Sequence, residues 1–430
     1  MNYRKGRHLL ILLLLLTYCL LFYFILTRQY RLDFSSFYSA SEALLKGENP
    51  YQVLLTTYFP TVKKLSANLN PPFVLMLFSP FSLLNYDWAV VSWTLLSFLL
   101  GLIGAGLTFK QAFSLGFLQK SWLILYLIYF SLFSTLMDTA IAQLGALLLF
   151  FIMLGYHFYT KNNDYLAGVT WGVIISIKLF PALLFFFALK QRRYKVCALM
   201  LVTCLLCALV PLLIYGQAIY LQYFSMLSRV LWYGDSWNAS LYGFLFRLFV
   251  DVDDKTQSLF LIKTVYLLLF FIALGWYFKK IDVKDKNAQG FSLTLVMMLI
   301  LSPFGWMYYF SLLLLPLALS WQTAFVAQKT SPKAIFIWLL CLFLINFPLD
   351  YVGTKHMPGF IQKLSFYSVH FYGLLLLLTQ LIQPLQKLSN NQIKIQEENI
   401  FFIPAFVSIL ALGLLVPIIS FILRLFPLVV

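Results

Sequence analysis

A chain of 430 residues that is 62% hydrophobic, 19% aromatic and only 11% charged, with a mean hydropathy of +0.86, cannot form a soluble globular domain and reads as a polytopic membrane protein. Its formal net charge of +16 lies in short Lys/Arg patches between apolar runs, the pattern of cytoplasmic loops facing lipid headgroups rather than of a nucleic-acid surface. All five cysteines (Cys19, Cys197, Cys204, Cys207 and Cys341) fall inside apolar runs, so neither a disulfide framework nor a zinc site is implied.

Arg4-Lys5-Arg7 precedes an apolar run over 9–26. At about 18 residues, and with no small-residue cleavage site after it, this run is a retained span rather than a signal peptide. The stretch from Gln29 to Tyr38 then sets Arg31 and Asp33 at the membrane edge and opens a long loop over 28–85. Inside that loop Pro72 to Leu84 is apolar for about 13 residues, roughly 20 Å of helix, which falls short of the hydrocarbon core and predicts a short interfacial helix. Further spans are predicted over 86–109, 121–137 and 142–160. The run 166–189 carries Lys178 and Pro181 near its middle. A lysine on a lipid-facing helix costs on the order of 3 kcal/mol and a proline breaks the hydrogen-bond ladder, so two short helices meeting at Lys178-Leu179-Phe180-Pro181 are predicted. The remaining spans are predicted over 195–215, 257–278, 289–303, 309–325, 334–349, 365–384 and 400–424.

With 72–84 not crossing and 166–189 divided, every clearly basic loop falls on the side of the basic N-terminus, from Lys110 and Lys120 through Lys161 and Lys190–Lys195 to Lys387 and Lys394. The expectation is an all-α bundle of about thirteen spans in one transmembrane domain covering 1–430, N-terminus inside and C-terminus outside. The polar segments that lack a positive-inside explanation then lie together on the outer face: 28–85, Asp138 to Gln143, the Lys178 break, Gly216 to Lys255, Ser302 to Tyr309 and Asp350 to Lys363. An enzyme working there has no ATP and must use an already activated substrate, which a lipid-borne donor supplies. Asp251-Val252-Asp253-Asp254 contains a D-x-D string, but it sits beside Lys255 just before a span and reads as a solvated charge cluster, so no metal is expected.

Several blocks, taken in order, resemble glycosyltransferase family 87, whose members are integral-membrane enzymes of the GT-C type. Asp33 is followed by Phe37-Tyr38-x-Ala40, Ala43-Leu44-x-x-Gly47-x-x-Pro50-Tyr51, and Asn70-Pro71-Pro72-Phe73 running into Ser79-Pro80-Phe81. Later come Ala142-Gln143-Leu144, Gly172 to Ile177 with Lys178-Leu179-Phe180-Pro181, Trp237-Asn238-x-Ser240-Leu241-x-Gly243 with Arg247, and Leu301-Ser302-Pro303-Phe304-Gly305-Trp306. The blocks cover roughly 30–320; the spans over 334–424 are merely hydrophobic.

The resemblance implies transfer of a hexose, mannose in the characterised members, from a polyprenyl-phosphate sugar to an acceptor hydroxyl on a glycolipid or glycan, at the outer face of a bacterial inner membrane and without a cofactor. It gives Asp33 the role of general base; read without it, Asp33 is a solvated loop acid paired with Arg31. Lys178, Arg247 and Arg229 are the candidate cations for the donor phosphate, by charge and by bidentate geometry. Asn70, Gln143, Trp237, Asn238, Tyr308, Tyr309 and His356 are candidate substrate contacts. The chain departs from the family at Met307-Tyr308-Tyr309, where many members carry histidine, and a tyrosine brings a donor but no positive charge. His370 is the other imidazole near the outer face. Glu42 and Asp138 are the acids that a retaining double displacement would call on. A lipid-linked sugar flippase and a non-enzymatic envelope assembly protein are the alternatives; the first would favour mid-membrane charges and an internal repeat, the second would need no external acid.

Overall fold

The structure is a computed structural model and describes residues 3–27, 33–52, 54–55, 64–65, 68–228, 232–250, 259–282, 288–326, 332–349, 359–382 and 402–425. Helices form where the apolar runs lie. Apart from a two-residue antiparallel ladder pairing Leu54 with Leu65 and Leu55 with Lys64, the regular structure of the described residues is helical. Six helical segments there are long and apolar enough to cross a membrane: His8–Leu26, Tyr86–Ala112, Tyr194–Tyr215, Leu259–Lys280, Phe360–Ile382 and Phe402–Leu423. The chain is thus an all-helical, multi-pass membrane protein. Shorter apolar helices, among them Gly145–Thr160, Asp164–Ile177, Gln289–Leu301 and Pro332–Ile345, complete the pattern. The expected total of about thirteen crossings counts these as spans, although each has fewer than the roughly 20 residues a straight crossing needs.

The chain divides into two compact units, one made of 21–107 and 137–231, the other of 1–20, 108–136 and 232–430. In the first, α1 (Phe34–Leu45) begins directly at Asp33 and buries Phe34, Phe37, Tyr38, Ala40 and Leu44. It packs on α2 (Pro72–Ser82), where Ser41 Oγ donates to the Leu75 carbonyl at 2.9 Å. Phe34 stacks on Trp93 at 17°, which fixes the start of α1 against the long helix α3 (Tyr86–Ala112). Next come α4 (Gly145–Thr160) and α5 (Asp164–Ile177), joined by a turn in which Asn162 adopts φ +58° and the Asn163 side chain accepts from Leu166 N–H at 3.1 Å.

Helix α5 lies close against α6 (Tyr194–Tyr215) because Gly168 and Gly172 face it: a Cβ on either would sit 2.5 Å from the Cβ of Leu199 or of Thr203. As predicted, α5 ends at the lysine. Lys178 is extended (φ −138°, ψ 132°), and a short 3-10 turn over Phe180–Ala182 with Pro181 at its start leads into Leu183–Lys190.

In the second unit the helix Gln289–Leu301 is buried along its length from Gly290 onward and forms the centre, flanked by Leu314–Val326 and Val369–Ile382. Leu259–Lys280 instead exposes Phe260, Leu261, Leu268 and Phe271, as a helix bathed in lipid does. The run 121–137, expected as one span, is broken: Leu115–Ser131 and Phe133–Ala140 are bent by 61°. No proline or glycine causes it. Leu132 is extended, and the freed Phe133 N–H donates to Asn346 Oδ1 at 2.7 Å while Asn346 Nδ2 donates to the Ile409 carbonyl at 3.1 Å. The run 309–325 likewise starts as a 3-10 helix over Met307–Leu313.

Candidate active site

In the first unit the loop after Ala140 lies against Asp33, which is itself exposed. Asp138 is buried, and its two carboxylate oxygens accept the amide N–H groups of Gly145 (2.7 Å) and Ala146 (2.9 Å), the first turn of α4. A carboxylate there satisfies two donors that a helix N-terminus leaves open and meets the positive end of its dipole, but burial outweighs these contacts and pushes the Asp138 carboxyl up to about 7. The Asp138 carbonyl also accepts Gln143 N–H at 3.0 Å. Between them Ala142 is held at φ +51°, a left-handed conformation uncommon for a residue with a Cβ, and Trp93 Nε1 donates to its carbonyl at 3.0 Å.

The loop meets Asp33 twice. The Ile141 carbonyl accepts Asp33 N–H at 2.8 Å and Phe34 N–H at 3.4 Å, and Gln143 Nε2 donates to Asp33 Oδ2 at 2.6 Å. Gln143 is itself buried, and its Oε1 accepts Leu144 N–H at 3.1 Å. Half-buried Lys178 stands within Coulombic reach of the Asp33 carboxylate. Asp33, Gln143 and Lys178, drawn from three distant parts of the sequence, are thus brought together. Asn70 sits at the entrance of α2. It is buried, its Nδ2 donates to Asn68 Oδ1 at 2.7 Å, its carbonyl accepts Tyr51 Oη–H at 3.0 Å, and its Oδ1 has no hydrogen-bond partner among the described residues. Of the other acids, Glu42 pairs with Lys46 at 2.8 Å on the surface of α1.

In the second unit two sequence blocks clasp each other. Asn238 pairs with Trp306 across an isolated bridge, and the amide side chain of Asn238 uses every position it has. Nδ2 donates to the carbonyls of Tyr233 and Pro303, both at 2.9 Å, while Oδ1 accepts Gly305 N–H at 3.0 Å and Ser240 N–H at 3.2 Å. Helix α7 (Leu241–Phe249) starts there, capped by Ser240 Oγ accepting from Gly243 N–H at 2.9 Å. On its inner face Arg247 is buried: Nη1 donates to the Asp235 carbonyl at 2.7 Å and to that of Asn238 at 3.2 Å, and Nη2 to Ser368 Oγ at 3.4 Å.

Burial draws the Arg247 guanidinium down to about 10, partly opposed by Asp235, so it remains a cation at neutral pH. Its Nε and the Nε1 of Trp237 find no hydrogen-bond partner among the described residues. Tyr233, Phe304, Trp306 and Tyr308 form a continuous stack with interplanar angles of 16–18°, and Trp237 meets Tyr308 edge-on at 6.1 Å. Tyr309 is buried against Tyr308. His370 packs edge-on to Phe310 at 5.7 Å, with Nδ1 3.1 Å from the Leu344 carbonyl.

Arg229, His356, Arg31 and Asp251 to Asp254 lie outside the described residues. Among the described residues no three His, Cys, Asp or Glu side chains gather into a metal-binding group. Sequence reasoning did not foresee the role of Asp138 as the anchor of the loop beneath Asp33. The signal available was an acid seven residues before the glycine that opens an apolar helix.

These clusters, built at breaks and ends of apolar helices, define a polytopic membrane protein with polar sites set into a helical scaffold. A family model described as glycosyltransferase family 87 matches residues 68–303, more than half of the chain. The chain belongs to that family and is a glycosyltransferase. The matched region holds Asn70, Gln143, Lys178, Trp237, Asn238 and Arg247; Asp33 precedes it, and Tyr308 and Tyr309 follow. No curated protein and no solved structure matches the chain.

Proposed function

We propose that this glycosyltransferase moves a hexose, mannose in the first instance, from a polyprenyl-phosphate sugar to an acceptor hydroxyl of a glycolipid or glycan at the outer face of the inner membrane. The scaffold is read as a GT-C type bundle of about thirteen crossings with the N-terminus inside. The observation that carries the reading is the Asp33 carboxylate at the head of α1, held by Gln143 at 2.6 Å with the Lys178 ammonium in Coulombic range. A neutral hydroxyl is a poor nucleophile, and a positioned carboxylate contributes about 10²–10⁴-fold by taking its proton. In the proposed step Asp33 accepts the hydroxyl proton as the acceptor oxygen bonds to the anomeric carbon. The bond from that carbon to the phosphate oxygen breaks, the polyprenyl phosphate leaves with the electron pair, and the anomeric centre inverts.

Lys178 supplies positive charge beside the base, favouring its ionised form and meeting the departing phosphate. Arg229 is read as another candidate cation for a phosphate, and in the second unit Arg247 is read as one in its own right, which its Nε, without a hydrogen-bond partner among the described residues, supports. Within the second unit Trp237, whose indole N–H has no hydrogen-bond partner among the described residues, and the stacked Tyr308 offer a ring face and donors to a sugar, with Asn238 fastening their two blocks; Tyr309, Asn70 and His356 are read as further candidate substrate contacts. The test is a choice of donor. Membranes bearing the protein are given radiolabelled mannose on polyprenyl phosphate or on a nucleoside diphosphate. Transfer to lipid or glycan from the first donor is expected; transfer from the nucleotide sugar alone, or passage of the labelled lipid across the bilayer without transfer, would refute the proposal.

A further inference from the structure

We infer that Gln143 is the positioning residue of the base, aiming and holding the Asp33 carboxylate rather than contacting sugar. This rests on the reading of Asp33 as base. Both ends of the Gln143 amide are specified by partners that leave no choice of orientation. Leu144 N–H can only donate, so the amide oxygen must face it (3.1 Å). An ionised carboxylate can only accept, so the NH₂ group must face Asp33 Oδ2 (2.6 Å). The backbone is pinned as well: Gln143 N–H donates to the Asp138 carbonyl, Asp138 grips Gly145 and Ala146, and Ala142 is locked at φ +51° beneath Trp93. The Ile141 carbonyl holds the Asp33 amide from the same loop. Main chain and carboxylate of Asp33 are therefore both fixed by 138–146, and a donor on the charged form keeps the base ionised and turned to one side.

Two substitutions test this. Gln143→Glu keeps the shape and still accepts Leu144 N–H, but it sets a second carboxylate against Asp33, and the pair must share a proton. Gln143→Met keeps the bulk and removes the donor. The titratable groups around the site bear on the profile: Lys178 is in range of Asp33, Glu42 is paired with Lys46, and Asp138, turned to the α4 amides and pushed by burial up to about 7, titrates in wild type and variants alike, so the readout is the shift between them.

The pH dependence of transfer is measured in vesicles with the same pH on both sides. A base works when deprotonated, so activity rises through its pKa; raising that pKa moves the limb to higher pH. For Gln143→Glu the acidic limb is expected to move up by about one unit or more, with transfer on the limb reduced about tenfold and acceptor KM unchanged. Gln143→Met is expected to lower kcat with a smaller shift in the same direction.

A wild-type limb and kcat in both variants would overturn the inference, as would a raised KM at unchanged kcat, the mark of a substrate contact. An unmoved limb with lower thermal stability, or failure of both variants to accumulate, would assign Gln143 to the fold and equally overturn it. Asp33→Asn separates the two claims. If it transfers sugar, the base reading itself falls; if it is inactive while the Gln143 variants keep the wild-type profile, only the positioning role falls.

Discussion

An asparagine amide offers two donors and two acceptor positions, and at Asn238 these meet Tyr233, Pro303, Ser240 and Gly305. The residue rivets the Trp237 and Ser302 blocks together. Asn238→Ala leaves the Gly305 N–H without that partner, at about 1–3 kcal/mol for a buried group left unsatisfied, while the Pro303 carbonyl keeps only Ser240 Oγ at 3.3 Å. We expect a clear fall in thermal stability in detergent; a melting temperature equal to wild type would contradict this role. Asp138 works alike in the other unit, and Asp138→Ala is expected to free Gly145 and Ala146 and lower both stability and transfer, whereas undiminished transfer would separate the loop from Asp33. At this scale the sequence announced hydrogen-bonding capacity but not partners. Gln143 and Asp138 were visible as polar residues in an apolar setting; that one holds Asp33 and the other holds the loop depends on partners found only in the folded chain.

Helix breaks divide into those written locally and those imposed from afar. The interruption at Lys178 was legible because a charge and a proline coincide in an apolar run. The bend at Leu132 was not, since the Phe133 N–H it frees is satisfied by Asn346, 213 positions further along the chain. Helix pairing was half legible: Gly168 and Gly172 are four apart and mark one face of α5, but only the structure shows α6 upon it. Gly172→Leu places a branched side chain where even a Cβ meets Thr203 at 2.5 Å. Overpacking of this kind costs about 1–3 kcal/mol or more, and we expect poor accumulation and a lowered melting temperature. A variant as stable as wild type would show that α5 and α6 can separate freely.

For the molecule as a whole, composition alone gave the class, and the apolar runs gave most of the long helices to within a few residues, but not the break inside 121–137 nor the helices Phe34–Leu45, Ala218–Leu227 and Leu241–Phe249, which are not continuous apolar runs of spanning length. Sidedness rests on the distribution of lysine and arginine, and it is testable within one unit. In a chain freed of its native cysteines, Glu48→Cys is expected to react with an impermeant thiol reagent from outside, and Lys161→Cys only after the membrane is opened. The reverse pattern would place the Asp33 loop on the side where nucleotide sugars are made, and with it a different donor.

The most direct measurement compares wild-type protein and Asp33→Asn in proteoliposomes supplied with radiolabelled polyprenyl-phosphate mannose and acceptor lipid. The account predicts label moving to acceptor with wild type and a drop of about 10²-fold or more with the asparagine variant, at unchanged folding. Equal transfer by the two proteins would contradict it.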